Sequence, residues 1–105
     1  MAGSPPLQYV DEARLQQLFN DGGFLQGLQE GRIDQLVQRQ NHADPERTGQ
    51  PFCTQSQIVS YLEGNQEVAR VHQYLRPDGT IGASGRPDPK KVLVNGVMYC
   101  FRLPG

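Results

Sequence analysis

The chain has 105 residues and a formal net charge of −1, with 36% hydrophobic and 20% charged residues. A chain of this length closes one core, so we expect a single domain over residues 7–105 after a disordered tail over residues 1–6. The balanced charge argues against wholesale disorder, and the composition excludes a collagen-like or coiled-coil chain. The longest apolar run, Val97 to Phe101, is too short to span a bilayer, and no secretory signal is visible. We therefore expect a cytoplasmic protein with no membrane partner.

The N-terminal half predicts three helices. Asp11 is expected to cap the first, because its carboxylate can accept from the free backbone N–H groups of a helix start. Leu15, Leu18 and Phe19 follow at helical spacing, and the pair Gly22-Gly23 ends the helix. Two shorter helices are expected over residues 24–31 and 33–40, followed by a polar loop over residues 41–51.

Two more helices are expected in the middle of the chain. Apolar residues at helical spacing predict one over residues 55–63 and another over residues 66–75. Gly64-Asn65 separates them, and Pro77 ends the second because the residue before a proline is pushed out of the α region. The stretch from Pro77 to Lys90, rich in glycine and proline, predicts an exposed loop, with a short strand at Thr80-Ile81 as an option.

The clearest local signal is a C-terminal β-hairpin. Asn95-Gly96 lies between two apolar runs and suits the two positive φ angles of a type I′ turn. A two-residue turn makes opposite pairs of Val94 with Val97, Leu93 with Met98 and Val92 with Tyr99. One side of this ribbon is apolar and must pack on the helices, because an isolated hairpin is marginal in water. The predicted fold class is therefore α+β, with several short helices packed against this hairpin.

The order of the last elements resembles winged-helix DNA-binding domains. Two predicted helices joined by a short turn, and then a hairpin, are the order of a helix-turn-helix with its wing. The second half of the chain has six basic and four acidic residues, whereas the first 50 residues have four basic and seven acidic. The resemblance implies nucleic-acid binding through one outward set of side chains: Arg70, Gln73, Arg76, Arg86, Lys90 and Lys91.

The preferred function is that of a small non-enzymatic intracellular binding protein. Two other functions stay open beside it. The first is a small metal-independent nuclease that uses His72 as acid or base, with Arg86 stabilising the phosphorane charge and His42 as partner. The second is a protein–protein adaptor with an exposed apolar patch formed by residues such as Phe24, Leu25, Ile33 and Leu36.

The cysteines and histidines do not predict a metal site or a cofactor. Cys53 and Cys100 form no Cys-x-x-Cys pair, and only His42 and His72 could complete a zinc site. Two buried free thiols are the preferred interpretation, with a disulfide between them as the alternative.

Overall fold

The structure is a computed structural model that describes residues 5–82 and 87–101. Its elements are β1 (Leu7–Val10), α1 (Glu12–Asp21), α2 (Phe24–Gln29), β2 (Asp34–His42), α3 (Pro45–Thr48), β3 (Gln55–Glu63), β4 (Gln66–Leu75), β5 (Asp88–Val94) and β6 (Val97–Phe101). The strands form one sheet in the order β1-β6-β5-β4-β3-β2, in which β1 runs parallel to β6 and all other neighbours are antiparallel. Within the described chain no helix has both the length and the apolar character to cross a membrane.

The predicted fold of helices packed against one hairpin is wrong, because the described chain is built mainly on a six-stranded mixed sheet and its three helices are short. The predicted helices over residues 55–63 and 66–75 are the strands β3 and β4, which pair antiparallel with each other. The predicted helix over residues 33–40 lies largely in the edge strand β2. Since residues 55–63 and 66–75 are strands, the predicted helix-turn-helix is not formed, and the predicted winged-helix arrangement is wrong.

The C-terminal hairpin and its register are confirmed. Asn95 and Gly96 adopt φ angles of 50° and 80°, as a type I′ turn requires. The three predicted opposite pairs, from Val94 with Val97 to Val92 with Tyr99, are all present in the sheet. Val92 is fully buried in the core, and Val94, Tyr99 and Phe101 pack against it.

The first two predicted helices are also confirmed. The Oδ1 atom of Asp11 accepts a hydrogen bond of 2.8 Å from the backbone N–H of Arg14, which caps α1. Gly23 has a φ of 72°, a conformation that favours glycine, and it separates α1 from α2. These helices therefore start and stop where local signals place them.

The core lies on the side of the sheet that α1 and α2 cover. Leu15, Phe19, Phe24 and Ile33 pack there against five buried sheet residues: Val59, Tyr61, Ala69, Val71 and Val92. Burial of Phe24 and Ile33 removes them from the apolar patch that an adaptor would use, although Leu25 and Leu36 remain exposed. On this same side of the sheet, beyond the apolar core, a buried amide ladder joins three strands: Gln73 Nε2 donates to Gln57 Oε1 at 2.9 Å, and Gln57 Nε2 donates to Gln40 Oε1 at 2.6 Å.

Three other expectations need correction. The predicted loop over residues 77–90 ends earlier, because β5 begins at Asp88 and Pro89 is buried within it. The optional strand at Thr80-Ile81 amounts to one bridge between Ile81 and Leu75. Cys100 is a buried free thiol as predicted, whereas Cys53 is free but exposed.

Most of the predicted N-terminal tail, residues 1–4, lies outside the described residues. At the end of this predicted tail, the Pro6 carbonyl accepts a hydrogen bond of 2.9 Å from the backbone N–H of Met98.

Candidate functional site

Alternation along β4 separates a core side from an open side of the sheet. Ala69, Val71 and Gln73 are buried on the side of the helices. Because successive side chains of a strand point to opposite faces, Arg70, His72 and Tyr74 lie on the other face. We call this face, which points away from α1 and α2, the open face.

His72 is held at the centre of the open face by two neighbours. Ser56 is opposite Tyr74 in the β3–β4 register, and its Oγ lies 2.8 Å from His72 Nε2. The ring of Tyr74 meets the ring of His72 edge-on, with 4.8 Å between the centroids. In the neutral tautomer that carries its proton on Nδ1, the Ser56 hydroxyl donates to Nε2. The position of this ring nitrogen is therefore fixed by both contacts.

The surroundings of His72 favour its neutral form. Burial lowers the pKa of His72, the positive charge of Lys90 lowers it further, and the carboxylate of Asp88 partly opposes the change. Asp88 lies opposite His72 in the β4–β5 register, but its Oδ2 accepts from Lys90 Nζ at 2.9 Å. Since the carboxylate is shared with this lysine, it stabilises an imidazolium less than a free carboxylate would. His72 is thus set to accept a proton near neutral pH.

Cations flank His72 on three strands. Arg70 is two residues before it on β4, and Lys91 on β5 is directly opposite Arg70. Arg39 on β2 is opposite Ile58, which is itself opposite His72. Arg70 forms an ion pair with Glu67 at 2.9 Å, whereas the side chains of Lys91 and Arg39 make no hydrogen bond or ion pair within the described part of the chain.

The juxtaposition of Arg70 and Lys91 has an electrostatic cost. Like charges directly opposite in an antiparallel pair are destabilising, and Glu67 offsets only the charge of Arg70. An anion bound between the two side chains would offset that of Lys91 as well. The arrangement is therefore suited chemically to holding a phosphate or another oxyanion.

The predicted nucleic-acid-binding residues are only partly brought together. Arg70 lies two residues from His72 with Lys91 opposite it, and Lys90 is paired with Asp88, the residue opposite His72. Gln73 is buried in the amide ladder on the opposite side, so its predicted role in reading a base is incompatible with the structure. Arg76 Nε donates to Gln50 Oε1 at 3.0 Å beyond the end of β4, and Arg86 lies outside the described residues.

The histidine proposed as partner of His72 is not its neighbour. His42 Nδ1 lies 3.2 Å from Gln55 Nε2, and both residues belong to the register that alternates onto the core side of the sheet. The sheet therefore separates the two histidines, and the two-histidine nuclease arrangement is not formed.

Two residues of the open face were missed from the sequence. Strand pairing alone brings Ser56 into contact with His72 and places Arg39 in the same row of the sheet, and a helical interpretation hides both. For Ser56, the signal that could have indicated it is the period of two at the start of β3, where Ser56 and Ile58 are half-buried and Gln57 and Val59 are buried.

Within residues 5–82 and 87–101, no three or more His, Cys, Asp or Glu side chains come together as a metal site. Comparisons of the chain with protein-family models, with curated proteins and with solved structures find no match.

Proposed function

We propose that this chain is a small binding protein that holds a single-stranded nucleic acid across the open face of its sheet. The observation that carries the proposal is that Arg70 and Lys91 lie directly opposite each other on neighbouring strands. Within the described residues, the side chain of Lys91 has no ion-pair partner. Two such cations on neighbouring strands can together hold one phosphate of a flexible strand. Arg39, on the far side of His72, extends the cationic track to β2.

The shape of the face favours a single strand over a duplex. The described elements that carry these cations are strands of an open sheet, so no helix is presented to a major groove. Sheet faces bind single strands by stacking bases on aromatic side chains while cations contact the backbone. Tyr74 lies beside His72, and Tyr9, which is 56% exposed, is in register with Cys100, the neighbour of Lys91. Both aromatic groups therefore lie on the face that carries the cations.

We further propose that the protein acts inside the cell, as expected from the sequence. The exposed thiol of Cys53 is free, and exposed free thiols persist in reducing compartments.

The test is fluorescence anisotropy with a labelled 12-nucleotide single strand, titrated at several salt concentrations. We expect binding that weakens with added salt, and Lys91→Ala and Arg39→Ala variants that each reduce the slope of log affinity against log salt by about 0.7. Arg14→Ala is the matched control, because it removes one exposed positive charge from α1, on the other side of the sheet. Absent binding, or an equal loss in Arg14→Ala, would contradict the proposal.

A further inference from the structure

A proton acceptor with a fixed position lies within the cationic part of the open face. His72 Nε2 is 2.8 Å from Ser56 Oγ, so a hydroxyl group already occupies the position from which a proton can be transferred to this nitrogen. The ring cannot turn away easily, because Tyr74 packs edge-on against it at 4.8 Å. A ligand hydroxyl that displaces Ser56 Oγ would meet the same nitrogen in the same geometry.

The charges required beside such a base are also present. Arg70 projects from β4 on the same face, two residues from His72, and Lys91 is opposite it. Arg70 and His72 are two residues apart along β4, so a phosphate held by Arg70 and Lys91 lies about 7 Å from the His72 ring. In a nucleic acid, the sugar attached to that phosphate is the group that reaches the ring. The lowered pKa of His72 keeps the base unprotonated at neutral pH.

We propose that the open face cleaves RNA, with His72 as the general base that activates a ribose 2′-hydroxyl next to a phosphate held by Arg70 and Lys91. The inference rests on the proposed function, since it requires the strand to lie across the same face. His72 Nε2 takes the proton of the 2′-hydroxyl while the 2′-oxygen forms a bond to the adjacent phosphorus. The bond from phosphorus to the 5′-oxygen breaks, and this oxygen takes a proton from water. The hydroxide that remains is neutralised by the proton on His72.

The products are one strand that ends in a 2′,3′-cyclic phosphate and one that begins with a 5′-hydroxyl. Arg70 and Lys91 stabilise the negative charge that develops on the phosphorane oxygens. DNA binds to the same cations but stays intact, because it has no 2′-hydroxyl. The nucleophile belongs to the substrate, so Ser56 is not consumed and only holds the unoccupied ring.

The experiment uses a DNA 12-mer with one central ribonucleotide, labelled at one end, incubated with the full chain in EDTA. We expect one cut, after the ribonucleotide, with a cyclic phosphate identified by mass spectrometry, and no cut in the all-DNA strand. His72→Asn retains a neutral polar side chain without a base and should slow the cleavage at least about 100-fold. His42→Ala, the other histidine, should cleave at the wild-type rate. Circular dichroism of each variant establishes that it is folded.

Each outcome has a distinct meaning. If anisotropy shows binding of both strands and neither is cut, the cleavage inference is wrong while the binding proposal stands. If neither strand binds, the proposed function fails too. Equal cleavage by wild type and a folded His72→Asn variant would contradict the role of His72. A Ser56→Ala variant should still cleave; its loss of activity together with a covalent adduct on wild-type Ser56 would make the serine the nucleophile and overturn the inference.

Discussion

Replacing Tyr61 by Phe tests the packing of the core at its largest buried side chain. Tyr61 is fully buried on β3, and its ring packs against Phe19 with 5.8 Å between centroids. Within the described chain, its hydroxyl has no hydrogen-bond partner. Gln35, opposite it on β2, is close enough to affect its ionisation but not to satisfy the group. We therefore expect Tyr61→Phe to stabilise the protein by about 1 kcal/mol at pH 8, because an unpaired buried hydroxyl is removed.

The same substitution should change the response to alkali. Burial raises the pKa of Tyr61 from 10.0 to about 12, and Gln35 opposes the rise slightly. Above pH 10 the unfolded chain releases this proton while the folded chain keeps it, so stability is lost as the pH rises toward 12. The two-unit shift corresponds to about 3 kcal/mol over the full range, of which about half is lost by pH 11. Tyr61→Phe has no such proton to release.

The assay is urea unfolding followed by circular dichroism at pH 8, 10 and 11. We expect the variant to be more stable than wild type by about 1 kcal/mol at pH 8, and by about 2 kcal/mol at pH 11. Tyr74→Phe, on the open face, controls for the loss of a tyrosine elsewhere. A destabilised Tyr61→Phe at pH 8 would show that the hydroxyl is hydrogen-bonded, and a difference independent of pH would refute the raised pKa.

Three further predictions concern the sheet. Gln57→Ala should destabilise the protein by about 2 kcal/mol in urea unfolding, because it leaves the buried amide of Gln73 without its acceptor. Gln40→Ala, at the exposed end of the ladder, should cost less than about 1 kcal/mol. Gly96→Ala should lower the free energy of unfolding by about 1 kcal/mol, because Gly96 has a φ of 80° while the space around it is open; an unchanged midpoint would contradict this. The pKa of His72 is lowered below its usual 6.5, so wild type should lose stability as the pH falls through this value, and His72→Asn should flatten that part of the profile between pH 5 and 8.

Local signals predicted the two ends of the fold but not its centre. The cap at Asp11 and the turn at Asn95-Gly96 act over a few residues, and both are present as predicted. In β3 and β4, by contrast, each strand buries a glutamine, Gln57 or Gln73, on the same side as its buried apolar residues. The side-chain amides of these glutamines find their hydrogen-bond partners on neighbouring strands. In the sequence, where this pairing is not visible, they look like solvent-exposed positions. The apolar residues that remain then fall at helical spacing.

The dipeptide between β3 and β4 shows the same difficulty. Gly64-Asn65 was interpreted as a helix end followed by a new cap, yet Gly64 has a φ of 63° and the pair is a hairpin turn. The β-branched residues Val59 and Val71 and the aromatic Tyr61 favoured strands. Weighing that preference above the spacing would have placed this hairpin correctly.

The candidate site was predictable only in part. The sequence predicts Arg70 and His72 as site residues, but as parts of a helix, in which Gln73 would share the outward side of Arg70. In a strand, successive side chains point to opposite faces, so Gln73 lies on the core side. The pairing of β3 with β4 then brings Ser56 into contact with His72. Such cross-strand contacts depend on pairing between distant segments, which single-sequence patterns do not specify.

The most direct test of the account is an NMR titration of the ¹⁵N- and ¹³C-labelled chain with a single-stranded oligonucleotide whose central ribonucleotide is 2′-O-methylated to prevent cleavage. We expect shifts concentrated at Arg39, Arg70, His72 and Lys91, with the side-chain resonances of His72 among the largest changes. Residues of α1 such as Leu15, beneath the opposite side of the sheet, should stay unchanged. Shifts concentrated on the helices, or a spectrum that does not change at low salt, would contradict the assignment of the open face as the binding surface.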